Sequence, residues 1–168
     1  RGYSADGGRM EHRKKTRYSW DISTLRDRNK ADCRAAGMLA SLEMIKHGIT
    51  TTQDSHYINF HLDSIDGVAE AIQTTGLRIV LGRGSWDSPA LAPEELTEDV
   101  KTAVDETQKV IDRWHGRASG RISVRVEASM LAQCSDEMLV ATKELADKNG
   151  LGWATHLQYR LATAGYDP

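Results

Sequence analysis

Two periodicities take turns along this chain, and their regular exchange limits what it can fold into. Around residues 29–47, apolar side chains recur every three or four positions (Ala35, Met38, Leu39, Leu42, Ile45), the spacing of one helix face. Gly48 supplies a C-terminal stop. Ile49-Thr50-Thr51-Thr52 follows, β-branched throughout, as suits a strand. The cycle then repeats. Leu62 to Thr75 places Ile65, Val68, Ala69 and Ile72 on one helical face, Gly76 closes the helix, and Leu77 to Leu81 reads as a second strand. A third helix is expected from Pro93, a residue suited to a first helical turn, to Trp114, with Leu96, Val100, Val104, Val110 and Ile111 inward. Arg121 to Glu127 alternates strictly between apolar and polar, the period of a strand. Ser135 is placed to cap a fourth helix carrying Met138, Leu139, Ala141, Leu145 and Ala146. Asn149-Gly150 ends it, and Trp153 to Leu157 forms the last strand.

Helices that alternate with strands predict parallel strands, near 49–54, 77–82, 121–127 and 152–157, with helices packed outside them. Either a doubly wound sheet or a (β/α)8 barrel fits that order. A complete barrel takes ~250 residues, so 168 residues offer about half of one. No Gly-x-Gly-x-x-Gly follows the first strand, which argues against a dinucleotide site. Gly82-Arg83-Gly84 is too short for that fingerprint and reads as a loop needing open backbone angles.

The net charge is −2, so there is no basic field to attract nucleic acid or an anionic membrane. No apolar run approaches the ~20 residues that span a bilayer, and no secretory signal opens the chain. Cys33 and Cys134 stand far apart without a Cys-x-x-Cys pair, and read as reduced thiols of a cytoplasmic protein. Residues 1–28 are charged and aromatic without clean periodicity, a loop region with at most one short helix. The chain opens at Arg1 rather than Met and stops at Tyr166-Asp167-Pro168 after an apparent strand and turn. It therefore reads as a sequence cut on both sides.

The run Ala40-Ser41-Leu42-Glu43-Met44-Ile45-Lys46-His47-Gly48-Ile49-Thr50-Thr51-Thr52 resembles a helix-to-strand signature of the amidohydrolase superfamily, in its cytosine deaminase and chlorohydrolase branch. Thr75-Gly76-Leu77-Arg78-Ile79-Val80-Leu81 is similar to the next helix-to-strand join of that branch. Glu144-Leu145-Ala146, Gly150 and Thr155-His156-Leu157 resemble its fifth-strand region. The resemblance covers about residues 30–160 and implies a partial (β/α)8 TIM barrel of about four parallel βα units, strands 2–5 of the barrel. Residues 1–168 would then be a single incomplete metallo-dependent hydrolase domain, with 1–28 the loop region after a missing first strand. The branch's His-x-His pair would lie upstream of Arg1, and its later histidine and final aspartate downstream.

One metal ligand carries over, His156, at the C-terminal end of the fifth barrel strand. Active sites of such barrels gather at that end, and a neutral imidazole is a good ligand for zinc or ferrous iron. The implied cofactor is a divalent metal, zinc first, with iron or manganese as alternatives, its remaining ligands outside this chain. One histidine cannot supply the three protein ligands of a catalytic zinc site, so the 168 residues alone are expected to bind zinc weakly or not at all.

The implied activity is hydrolysis of a C–N (non-peptide) or C–Cl bond in a small, cyclic substrate by a metal-activated hydroxide. Deaminases of this branch carry a glutamate three residues after the histidine. Here Tyr159 stands there, with Gln158 before it. A neutral phenol, of ordinary pKa ~10, is a poor base near pH 7. Either another carboxylate shuttles protons, with Glu127 the candidate, or the substrate is not the usual aminated heterocycle. His56, Trp86 and Glu127, at or just past strand ends, are the candidates to line the pocket mouth with Gln158 and Tyr159. Trp86 would stack on a flat ring, and Glu127 would accept an N–H. Equally, His56 fits a solvated loop, Trp86 a packed neighbour, and Glu127 a pair with Arg125 or Arg83. His12, His47, His61 and His115 read as surface residues. The expected partner is a small-molecule substrate, not nucleic acid or membrane, with a homo-oligomer left open. The alternative reading is a non-catalytic or degraded barrel fragment that serves as a binding surface.

Overall fold

The computed structural model describes residues 25–88 and 94–157. Its elements run α1 (Lys30–Lys46), β1 (Thr51–His56), α2 (Ser64–Thr75), β2 (Arg78–Ser85), α3 (Val100–Trp114), β3 (Ile122–Met130), α4 (Asp136–Lys148) and β4 (Trp153–His156). The four strands form one sheet in the order β1-β2-β3-β4, and every neighbouring pair is parallel. Each crossover carries a helix, as parallel pairing demands.

The elements start where local chemistry favours it. Asn29 caps α1 by accepting from the backbone N–H groups of Ala31 and Asp32, and Asp32 reaches back to the Asn29 N–H, a full capping box. Ser135 accepts from Met138 N and caps α4. The third helix begins later than expected. A short 3-10 turn occupies Glu94–Leu96, and α3 starts at Val100, because Asp99 accepts from Thr102 N and fixes the first turn there.

One face of the sheet is apolar. Ile79 and Leu81 of β2 and Ile122, Val124 and Val126 of β3 point outward into the helix layer. They meet Ile65, Ala69 and Ile72 of α2, Val110, Ile111 and Trp114 of α3, and Leu145 and Ala146 of α4. The buried stripe of α3 is Ala103, Thr107, Val110, Ile111 and Trp114. Val100 lies off it, and Leu96 packs elsewhere, against Trp86. Asp66 pins α2 to α3, accepting from Trp114 Nε1 at 2.6 Å and from Arg113. Helix α1 also departs from the expected face: Leu39, Leu42 and Ile45 are exposed, while Ser41 is buried. It packs on α2 through small residues. A Cβ on Gly37 would touch Ala71 Cβ at 3.0 Å, and one on Gly67 would meet Lys30 O at 2.2 Å.

Both early strands run further than the sequence suggested. Strand β1 continues through Gln53-Asp54-Ser55-His56, and β2 through Gly82-Arg83-Gly84-Ser85, because each finds a full ladder partner, up to Ser55↔Gly82 and His56↔Arg83. Gly82 and Gly84 are thus strand residues with ordinary φ, not a loop. Arg83 enters the helix side, 1% exposed, and donates to both carboxylate oxygens of Glu98, at 2.9 and 2.5 Å, and to Ser85 Oγ at 2.8 Å.

Candidate active site on the concave face

Strand alternation turns the other set of side chains to the opposite face. In β3, with Val124 and Val126 outward, Arg125 and Glu127 must face inward. In β4, Trp153 reaches the helix layer through its Nε1, which donates to Thr142 Oγ1 at 3.0 Å; Ala154 and His156 therefore share the inner face. A β-bulge between Ala128 and Met130 brings His156 opposite Met130.

These inner residues meet at the C-terminal ends of the strands. Ser55 of β1 donates to Glu127 Oε1 of β3, and Ser55 Oγ lies 3.4 Å from His156 Nε2 of β4. In a flat sheet the backbones of β1 and β4 would stand ~14 Å apart, three strand spacings. Contact between their side chains therefore requires the sheet to curl around this face, as a half-barrel does. Glu127 is 2% exposed. Its Oε2 accepts from Arg125 Nε at 3.2 Å and Nη2 at 3.0 Å, its Oε1 lies 3.7 Å from His156 Nε2, and Arg125 Nη1 donates to Gln53 Oε1 at 2.6 Å. Gly82 makes the room: a Cβ there would stand 2.3 Å from Glu127 Oε2. Two residues on, Ser129 is buried, its hydroxyl without a hydrogen-bond partner among the described residues, and Gly84 leaves space beside it in the same way.

The candidates named from sequence are placed unequally. His156 and Glu127 come together, with the His156 side chain 60% exposed at the open end. His56 does not join them. It is next to Ser55 in β1, so it turns outward, where Nε2 lies 2.8 Å from Ser64 Oγ and Nδ1 3.6 Å from Asp54 Oδ2. That parity turns it away from His156 and Glu127. Trp86 is 6% exposed, donates from Nε1 to Leu96 O at 2.7 Å, and meets Tyr57 edge-on with ring centroids 5.5 Å apart. It packs within a small apolar cluster, the plainer of its two readings. Gln158 and Tyr159 lie outside the described residues, as do Pro93 and His12. His47, His61 and His115 are exposed. Sequence reasoning passed over Ser55, Gln53 and Ser129, and named Arg125 only as a partner for Glu127, which it is. The alternation around Val124 and Val126 was signal enough for Arg125, but the polar run of β1 offers none for Ser55.

A model of the amidohydrolase family matches residues 11–166. The chain belongs to the amidohydrolase family. It is 34% identical over 119 residues to a 5'-deoxyadenosine deaminase of Methanothermobacter thermautotrophicus, covering 71% of this chain and 25% of that protein. It is 36% identical over 121 residues to a 5-methylthioadenosine/S-adenosylhomocysteine deaminase of Symbiobacterium thermophilum, 71% of this chain and 24% of that one. The chain thus spans about a quarter of the length of the curated relatives it matches. Two solved structures share the fold. A mutant atrazine chlorohydrolase from Arthrobacter aurescens TC1, complexed with zinc and atraton, superposes with a TM-score of 0.76 at 20% identity over 94% of this chain and 36% of that one. A guanine deaminase from C. acetobutylicum with bound guanine gives 0.73 at 19% identity, over 88% and 34%. The four-stranded curled sheet of this amidohydrolase chain is therefore part of a TIM barrel.

A divalent metal is the group this family implies. The inner face fits it in part: His156 is an exposed imidazole at the C-terminal strand ends, where a barrel assembles its centre. Among the described residues, no group of three or more His, Cys, Asp or Glu could hold a metal ion. No helix of the described residues is long and apolar enough to cross a membrane.

Proposed function

We propose that the protein carrying this chain is a metal-dependent hydrolase acting on a C–N (non-peptide) or C–Cl bond of a small cyclic substrate. Residues 1–168 would form one incomplete barrel domain of it. The observation that supports this most is His156, projecting from the end of β4 onto the concave face of a chain that belongs to the amidohydrolase family. His156 would hold the metal, zinc first, with further ligands from outside the described residues. When bound, such a metal lowers the pKa of its water, so that attack on an sp² carbon proceeds near neutral pH. Glu127 keeps the inner face polar and anchored. Its oxygens are engaged by Arg125 and Ser55, which suits holding a neighbour more than shuttling protons. The deaminase relatives favour an aminated purine nucleoside as substrate, and the chlorohydrolase fold neighbour keeps a chlorinated triazine as the second choice.

The test uses the full-length protein with zinc. Ammonia release from 5'-deoxyadenosine and 5-methylthioadenosine, and chloride release from atrazine, are measured for wild type and His156→Ala, with metal content and circular dichroism alongside. One of the two releases is expected in wild type. His156→Ala should lose both metal and turnover, by more than the roughly 10–100-fold that loss of a ligand's hydrogen-bond partner causes, with the fold kept. Near-normal turnover and full metal in His156→Ala would remove His156 from the centre.

A further inference from the structure

The geometry points to Tyr57 as the wall on which a flat, aromatic nitrogen ring stacks at the mouth of the concave face. The inference deepens the reading of the protein as a hydrolase of small cyclic substrates, and rests on that reading for the class of ligand. The sequence suggests Trp86 for the stacking role, but the structure leaves the open ring to its neighbour. Ladder parity places Tyr57. His56 pairs with Arg83, and both turn outward, to Ser64 and to Glu98. Tyr57 follows His56 and comes level with Gly84. A Cβ on Gly84 would stand 3.1 Å from Tyr57 Cβ and would also meet Ser129 Oγ, so the Tyr57 side chain leaves the backbone on the inner side. Gly84 is in turn the ladder partner of Glu127. Two strand residues span about 7 Å. Tyr57 therefore stands one row nearer the open end than Ser55, on the side where a TIM barrel keeps its mouth.

The ring is braced without being covered. Tyr57 and Trp86 meet with ring planes 65° apart. Trp86 is buried and tied through Nε1 to Leu96 O at 2.7 Å, so it does not turn to meet a ligand. Tyr57 is 42% exposed, and the open aromatic surface of the pair is therefore its own. Asn59 Nδ2 donates to Gly84 O at 2.8 Å and pins the segment after β1 across β2. A tyrosine has only two side-chain angles to fix, and one already set against a neighbour loses little entropy when a ring is laid on it. Offset stacking requires a π-face on both partners. Purines and triazines have one, and a saturated ring does not, so this wall selects planar heterocycles by shape before any bond is broken.

The experiment uses the full-length protein. Equilibrium dialysis of the metal-free form reads affinity for 5'-deoxyadenosine and atrazine, and the zinc-loaded form is assayed for ammonia and chloride release. Wild type should bind one of the two probes, Tyr57→Phe should match it within about twofold, and Tyr57→Leu, apolar but without a π-face, should bind it roughly 5–150-fold more weakly, the range of aromatic–base stacking. In turnover the loss should fall on KM with kcat held, as for binding shared by ground and transition states. Ring protons of the bound probe should shift upfield in NMR spectra of wild type and Tyr57→Phe and not of Tyr57→Leu, a signature that a merely structural role would not move. Equal affinity in Tyr57→Leu and wild type, unshifted ring protons in wild type, or no binding of either probe to wild type overturns the wall. Binding that depends on Tyr57, with neither ammonia nor chloride released, upholds the wall and removes the hydrolase reading alone.

Discussion

Gly82→Ala asks whether the concave face depends on the close approach of β2 to Glu127. A Cβ at this position would lie 2.3 Å from Glu127 Oε2, 3.0 Å from Arg125 Nε and 3.2 Å from Asp54 O. Comfortable carbon contacts begin near ~3.5 Å, so the carboxylate must give by roughly 1 Å. It has little freedom to do so, since Arg125 and Ser55 hold it on both oxygens and it is 2% exposed. Overpacking of this kind costs ~1–3 kcal/mol, and more if the Arg125–Glu127 pair parts, because breaking a buried pair costs ~3–5 kcal/mol. Against this, removing glycine from a strand gains ~0.5–1 kcal/mol. The net expectation, with the pair intact, is a loss of about 0.5–2 kcal/mol, read as a lower urea midpoint at unchanged slope. A double-mutant cycle locates the cause. With Glu127→Ala the obstructing oxygen is gone, and Gly82→Ala should then cost little or nothing, a coupling of ~1 kcal/mol or more. Wild-type stability for Gly82→Ala, or the same loss in both backgrounds, would refute the account.

Gly67→Ala should also destabilise, by ~1–3 kcal/mol, although alanine is the better helix former by ~1 kcal/mol. Its Cβ would meet main-chain atoms of α1, Lys30 O at 2.2 Å and Arg34 N at 2.8 Å, which cannot swing aside; Gly152→Ala, with nothing within 4 Å, is the control, expected within ~0.5 kcal/mol of wild type by urea denaturation. Burial pushes the Cys134 thiol up to about 11. At pH 8 it should carry roughly two-hundredfold less thiolate than a free cysteine of pKa ~8.5, so iodoacetamide should label it correspondingly slowly in a Cys33→Ser background, faster with each pH unit up to about 11. Labelling at the rate of the urea-unfolded chain would contradict its burial.

The fold was legible because each strand follows a glycine-closed helix, a pattern that only parallel pairing with outer helices absorbs. What escaped was the packing of α1. Counting large apolar side chains selected Leu39, Leu42 and Ile45, which are exposed. The helix instead turns Gly37 and Ser41 toward α2, where Gly67 and Ala71 let two backbones approach. Small residues carry no hydrophobic signal, so a periodicity count cannot see a contact made by their smallness. The same blindness moved the face of α3, where Ala103 and Thr107 are buried and Val100 is not.

The site divides along a similar line. In β3, Ile122, Val124 and Val126 mark the helix side unambiguously, and the inward direction of Glu127 follows by alternation alone. The sequence Thr-Thr-Gln-Asp-Ser-His of β1 is polar on both faces, so nothing in it distinguishes Ser55 from His56. Histidine, the more reactive type, was the natural candidate, yet the chain turns the serine inward and ties the histidine to Ser64 and Asp54. Register decides this, and register comes from the ladder with β2, where Ser55 pairs with Gly82. That pairing also explains why β2 needs glycine there. The residue beside Ser55 must leave space for Glu127, which arrives from β3 to accept the serine's hydrogen bond. A polar strand, a glycine and a buried carboxylate on three different strands therefore make one constraint, visible only once the sheet has curled to bring them together.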